Sequence, residues 1–234
     1  MRLFSDVPGR VLAIFAHPDD AEIAAGGTLA SWASQGAEVR LVLCTLGDKG
    51  SRADDSPEAV ALRRSHEASN AAARLGVGSL VTLGYPDGEV TNESSIRRRI
   101  VGQIREFEPE VVICPDPTTV YFAGGYYNHR DHREVGWAAL DSAFPAARLP
   151  KYFPEEGRPH SVGMCLLSGT LFPDVLVDIS GGLRAKIEAV AEHSSQLEYG
   201  VEWLGTALSR RAEDVAKGSG LKYGECFRLI QGGG

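Results

Sequence analysis

Along the first half of the chain, short unbroken apolar runs alternate with longer segments whose apolar positions recur at helical spacing. The runs RVLAIFA (10–16), EVRLVLCT (38–45), SLVTLG (79–84) and EVVICP (110–115) are rich in β-branched residues and short, so each predicts a strand. The segments between them predict helices over 21–35, 57–75 and 93–107. In the third, Ile96, Ile100, Ile104 and Phe107 share a face, with Asn92 near the start and Pro109 just past the end. Strands that are apolar throughout and separated by helices predict a parallel sheet covered on both faces.

The second half is less regular. The loop-like stretch PDPTTVYFAGGYYNHRD leads into a helix predicted over 131–142, and the Pro- and Gly-rich stretch 145–163 predicts irregular structure. DVLVDIS (174–180) predicts a strand, helices are expected over 182–195 and 203–217, and ECFRLI (225–230) predicts a last strand. The expected fold class is α/β: a Rossmann-like three-layer αβα sandwich with a mostly parallel sheet. It forms a single domain over 1–231, with a disordered tail at 232–234.

Two segments concentrate the polar chemistry. AHPDDAE (16–22) follows the first predicted strand, and NHRDHRE (128–134) follows the fourth. In open α/β sheets, ligand sites form beyond the carboxyl ends of strands where the strand order reverses. If the first strand is central, with the second and fourth on either side, both segments reach one crevice. His17, Asp20 and His132 would then supply two imidazoles and a carboxylate to one metal ion. A fourth position stays open for water, the arrangement of catalytic zinc, and such a metal lowers the pKa of that water to about 7. Asp19 is free to act as general base. His129, one helical turn before His132, could donate to an oxyanion or protonate a leaving amine. Asp131 could hold one imidazole in the useful tautomer, and the Tyr127 phenol could add an oxyanion contact. Taken singly, each segment also reads as an ordinary helix start, since aspartates favour that end of the dipole.

Other residues carry paired readings. Arg64 falls on the same helix face as Val60, Glu67, Ala71 and Leu75. It is either a donor to substrate oxygens or one half of an Arg64–Glu67 pair on a helix rim. Asp87 in YPDGE either binds sugar hydroxyls or simply makes a turn. Gly26 and Gly27 suit close packing of the first helix, without the GxGxxG of a dinucleotide site. Glu22 orients a metal ligand or favours the helix start. The aromatic stretch VYFAGGYY forms a pocket wall or ordinary loop packing. His66 reads as a rim residue, while His160 and His193 are given no role.

Composition narrows the classes. A chain of 234 residues buries enough surface to need no covalent staples, and its 43% hydrophobic and 24% charged content is ordinary globular usage. The four cysteines include no CxxC pair, and Cys44 and Cys114 lie in apolar runs, against thiolate metal sites and disulfides. A net charge of −7 without a basic run argues against nucleic acid and anionic membrane surfaces as main partners. No apolar stretch could span a bilayer, and MRLFSDVPGR lacks the apolar core of a signal peptide, so the cytoplasm is the expected compartment.

These residues resemble the LmbE-like, or PIG-L-like, metal-dependent N-deacetylases. AHPDDAEIAAGGTLA is similar to that family's first motif and HRDH to its second. CTLGDKGS, LRRSHEASNAAARLGV, LGYPDGEV, KIEAVAEHSSQ and ECFRLI form an ordered series of weaker likenesses across most of the chain. The resemblance implies zinc on His17, Asp20 and His132, with ferrous iron suiting the same ligands. It implies Asp19 as base, His129 as oxyanion donor or acid, Asp131 as its support and Arg64 at the substrate. The implied reaction removes an acetyl group from a small-molecule amino-sugar conjugate of the N-acetylglucosamine type. Members of the family often assemble, which admits a homo-oligomer. The alternatives are hydrolysis of another amide or an ester, and a non-catalytic sugar- or nucleotide-binding module.

Overall fold

The apolar runs become strands of one eight-stranded sheet in the computed structural model, which describes residues 1–51, 54–122, 124–197 and 201–232. The strands are β1 (Arg2–Leu3), β2 (Arg10–Phe15), β3 (Glu38–Leu43), β4 (Ser79–Thr82), β5 (Val111–Pro115), β6 (Met164–Ser168), β7 (Val175–Asp178) and β8 (Gly224–Gln231). Their spatial order is β1-β7-β8-β6-β5-β2-β3-β4. β2 pairs in parallel with β3 on one side and β5 on the other, so the order reverses beside the first predicted strand, as expected. The sheet is mostly parallel; only β8 runs antiparallel, between β6 and β7.

Alternation along β2 divides the core. Val11, Ala13 and Phe15 pack with α1 (Asp20–Ser34), α2 (Pro57–Leu75) and α5 (Leu183–Glu192) on one face. Leu12 and Ile14 pack with α3 (Ser94–Phe107) and α4 (Arg130–Asp141) on the other, where Ile96, Ile100 and Ile104 form the predicted stripe. A last helix, α6 (Val201–Ala216), sends Ala212 into the first of these cores. This is the expected three-layer α/β arrangement, and no helix of the described residues is long and apolar enough to cross a membrane.

Two strands escaped prediction. β1 is two residues long, and β6, MCLLS, is a short apolar run hidden behind the irregular stretch before it. That stretch is irregular as expected, but it is not loose. After a kink at Ser142–Ala146, where Phe144 leaves helical backbone, the buried guanidinium of Arg105 donates to the carbonyls of Ala146, Ala147, Leu149, Tyr152 and Phe153 at 2.7–3.1 Å. One side chain thus supplies the hydrogen bonds that regular structure would otherwise provide. The expected tail at 232–234 falls mainly on residues 233 and 234, outside the described residues.

Close approaches fix the two helices that follow the motif-bearing strands. A Cβ on Gly27 of α1 would stand 2.7 Å from Ile179 Cδ1, and one on Gly136 of α4 would collide with the Pro115 carbonyl oxygen. A buried ion pair adds to the first contact. Glu225 of β8 accepts from the Gly27 and Thr28 amides of α1 at 3.0 and 2.8 Å and pairs with Lys186 of α5, which also donates to the Ile23 carbonyl at 2.8 Å. Removing one partner strands the other charge in the interior. Glu225→Ala is therefore expected to lower unfolding free energy by about 3–5 kcal/mol in denaturant titrations, and the double variant Lys186→Met/Glu225→Gln by less.

Candidate metal centre

β2 ends at Phe15, and the chain turns through His17, Pro18 and Asp19 into α1. Asp19, the residue before the helix, has φ 95° and ψ −26°, a left-handed conformation that costs a non-glycine residue about 1–3 kcal/mol. Its side chain makes no capping bond. The turn is held instead by Arg64 of α2, whose Nη2 donates to the Pro18 carbonyl at 2.7 Å and whose Nη1 donates to the Gly47 carbonyl at 3.1 Å. From the neighbouring strand β5, the chain returns through the aromatic loop to Asn128 and α4, which carries Asp131 and His132.

The two segments meet. His17 Nδ1 lies 3.3 Å from His132 Nε2 and 3.4 Å from Asp20 Oδ2, while Asp20 Oδ1 lies 3.1 Å from His132 Nε2. Hydrogen bonds on the far sides of the rings set the tautomers. Asn128 Nδ2 donates to the Thr119 carbonyl at 2.8 Å, so its Oδ1 is the acceptor facing His132 Nδ1 at 3.1 Å, and that nitrogen carries the proton. His17 Nε2 faces Asp87 Oδ1 at 3.0 Å and Asp131 Oδ2 at 3.3 Å, so its proton sits there. In their neutral forms both rings therefore turn bare nitrogens toward each other.

Two lone pairs and a carboxylate at that separation call for positive charge between them. A tetrahedral ion with bonds of about 2.0–2.1 Å sets its ligands about 3.3 Å apart, the separation of the two ring nitrogens, and each ring has its own Asp20 oxygen at a similar distance. Electrostatics points the same way. Burial opposes a charge on His17, but Asp131, Asp20 and Asp87 outweigh it and push its pKa up to about 12. Burial likewise opposes ionisation of Asp20, yet His132 and His17 hold its carboxyl well below the usual range. Asp19 moves the other way: burial and the neighbouring Asp20 charge raise it to about 7, against the pull of Arg64 at 3.7 Å.

Among the described residues, two other trios have ligand atoms within 4.8 Å of one another: His17, His129 and His132, and His17, Asp87 and Asp131. The second uses the His17 nitrogen that already bears a proton, and Asp131 Oδ2 is also taken by the Gly88 amide at 2.7 Å. These two carboxylates orient His17. In the first trio, His129 caps α4: its Nδ1 accepts from the Asp131 amide at 3.2 Å, which leaves a proton on Nε2. Burial and the nearby His17 charge lower its pKa, so His129 is a neutral donor.

His17, Asp20 and His132 line a cavity of about 670 Å³, together with Asp19, Arg64, Phe122, Tyr126, His129 and Arg211. Not every expected residue takes its expected place. Tyr127 is exposed and outside this wall; its hydroxyl accepts from Arg133 Nη2 at 2.6 Å, and Tyr126 lines the cavity instead. The Arg64–Glu67 rim pair does not form, because both residues are buried and Glu67 is bound by the Ser195 amide at 2.8 Å and hydroxyl at 2.7 Å. Asp87 reaches the cavity, but its carboxylate is spent on His17. His193, given no role from sequence, is buried with Nε2 3.7 Å from Glu22 Oε2. Sequence reasoning also missed Asn128, although its place four residues before His132 is a helical-neighbour signal.

Comparison with known proteins places these features in a group. Residues 12–143 match the family described as PIG-L: GlcNAc-PI de-N-acetylase. The chain is 34% identical to a diacetylchitobiose deacetylase of Thermococcus kodakarensis, covering 98% of this chain and 85% of that one. It is 28% identical to a 1D-myo-inositol 2-acetamido-2-deoxy-alpha-D-glucopyranoside deacetylase of Mycobacterium sp. (strain KMS), covering 88% and 80%. Its structure matches the N,N'-diacetylchitobiose deacetylase of Pyrococcus horikoshii with a TM-score of 0.86 at 29% identity, over 96% of this chain and 84% of that one.

Asn128 gives a direct test of the tautomer argument. Asn128→Ala removes the acceptor that fixes the His132 ring and is expected to weaken binding of an added divalent metal about 10–100-fold in a chelator competition, with the fold retained by circular dichroism.

Proposed function

Because the chain belongs to the PIG-L family, we propose that it is a metal-dependent hydrolase that removes an N-acetyl group from an amino-sugar conjugate of the N-acetylglucosamine type. The observation that carries this reading is the meeting of His17 Nδ1 and His132 Nε2 with the Asp20 carboxylate at the wall of a cavity. These three residues would hold the ion. Zinc suits two imidazoles and one carboxylate with an open position, and ferrous iron is the alternative. A divalent cation there supplies Lewis acidity that polarises the amide carbonyl and makes water nucleophilic near neutral pH.

The remaining steps belong to side chains. Asp19 borders the cavity beside Asp20 without being needed as a ligand, and its carboxylate accepts the proton of the attacking water as the oxygen bonds to the carbonyl carbon. The opposite pKa displacements of Asp19 and Asp20 agree with one carboxylate working as base and the other staying ionised. His129 Nε2–H donates to the carbonyl oxygen as it becomes negative. When the carbon–nitrogen bond breaks, the nitrogen takes from Asp19 the proton that Asp19 removed from the water, giving free amine and acetate. Asp131 and Asp87 keep His17 in its tautomer, and Arg64 holds the strained turn that presents Asp19.

Metal content and deacetylation of N-acetylglucosamine glycosides, assayed beside simple acetyl esters, test the assignment. His132→Ala should lose both metal and activity. Asp19→Ala should keep its metal and lose about 100-fold or more in kcat. Full activity in either variant, or in metal-free wild type, would overturn the mechanism, and a clear preference for esters would overturn the substrate class.

A further inference from the structure

The proposed chemistry occupies one end of the cavity and leaves the other without an assigned role. That end is bounded by Ile23 and Ala24 of α1, Phe122 of the aromatic loop, Gly169 after β6, and Arg211 of α6. The same five residues also bound an adjoining chamber of about 120 Å³, so Arg211 stands where the two spaces join. Lys186 and Glu225 line the chamber, and their charges are spent on each other and on the backbone of α1. Arg64, the other arginine of the main wall, is buried and bound to two carbonyls. Arg211 differs from all of these. It is exposed, and among the described residues it has no hydrogen bond or ion pair.

An unpaired guanidinium beside mostly apolar neighbours, in a chain of net charge −7, is a directed positive charge inside a cleft. Such a group attracts anions, and its planar fork suits the two oxygens of a carboxylate or phosphate. Resting on the deacetylase reading, we infer that Arg211 is a specificity-determining residue that binds an anionic group on the part of the substrate beyond the amino sugar. With the acetamido group over His17, Asp20 and His132, the sugar lies beneath Phe122 and Tyr126, and its substituent extends toward α6. Arg211 then discriminates between conjugates through binding and takes no part in bond breaking.

Three synthetic glycosides test this: phenyl 2-acetamido-2-deoxyglucoside and its 4-carboxyphenyl and 4-phosphonooxyphenyl counterparts. Zinc-loaded wild type is expected to favour one or both charged glycosides over the neutral one by about tenfold or more in kcat/KM, chiefly through KM. Arg211→Gln should collapse that ratio to within about twofold, and Arg211→Lys should restore part of it. The two charged arms tell carboxylate from phosphate. No wild-type preference for either anion overturns the inference, as does an equal loss on all three glycosides in Arg211→Gln, the mark of simple stacking or of damage to the fold. Calorimetric binding of the same glycosides reads the preference without turnover. A protein that binds with the Arg211-dependent ratio but cleaves none of them would uphold this inference and refute the deacetylase reading.

Discussion

Two imidazole nitrogens face each other across 3.3 Å, and the Asp20 carboxylate presents one oxygen to each ring. That arrangement requires positive charge between the rings, whether a proton or a metal cation, and much of the surrounding structure keeps it from relaxing. Asn128 holds one ring from behind; Asp87 and Asp131 hold the other. The turn amide of Gly88 braces Asp131 in turn. Parallel pairing of β2 with β5 brings the two donor segments together at all, since 115 residues of chain separate His17 from His132.

The same economy governs Asp19. A left-handed backbone at an aspartate is unfavourable in isolation, and it persists because Arg64 pins the carbonyl just before it and α1 begins just after it. The strain turns the carboxylate away from a helix-capping role and leaves it at the cavity wall beside Asp20. Two adjacent acids in one turn thereby acquire opposite tendencies, one drawn into the cationic cluster and the other pushed toward holding its proton. Proximity in sequence has been converted into a difference in environment.

Much of this was legible beforehand because it depends on local patterns. Apolar runs marked the central strands, and the Ile96–Ile100–Ile104 stripe marked α3. The two polar segments were legible as a pair because the carboxyl ends of neighbouring parallel strands converge. What escaped depends on where long side chains go. Arg64 and Glu67 share a helix face, yet tertiary partners at Pro18 and Ser195 outcompete their mutual attraction, which solvent-exposed neighbours would have kept. Tyr127 and Tyr126 are adjacent, and only backbone geometry, with a bridge between Tyr121 and Tyr127, decides which faces the cavity. The strand MCLLS carried an apolar signal but too few residues to stand out after an irregular stretch that Arg105 organises.

The aromatic loop is fastened at both ends. Asp116 turns its carboxylate onto Thr118 at the start, Asn128 ties the finish to Val120 and Thr119, and α4 is seated by Gly136 directly on the end of β5. Among the described residues between these fastenings, Phe122 and Tyr126 line the cavity, and the span lies outside the His17, Asp20 and His132 trio. Lengthening, shortening or replacing that span as an interchangeable cassette would reshape the mouth while His17, Asp20 and His132 beneath it stay in register.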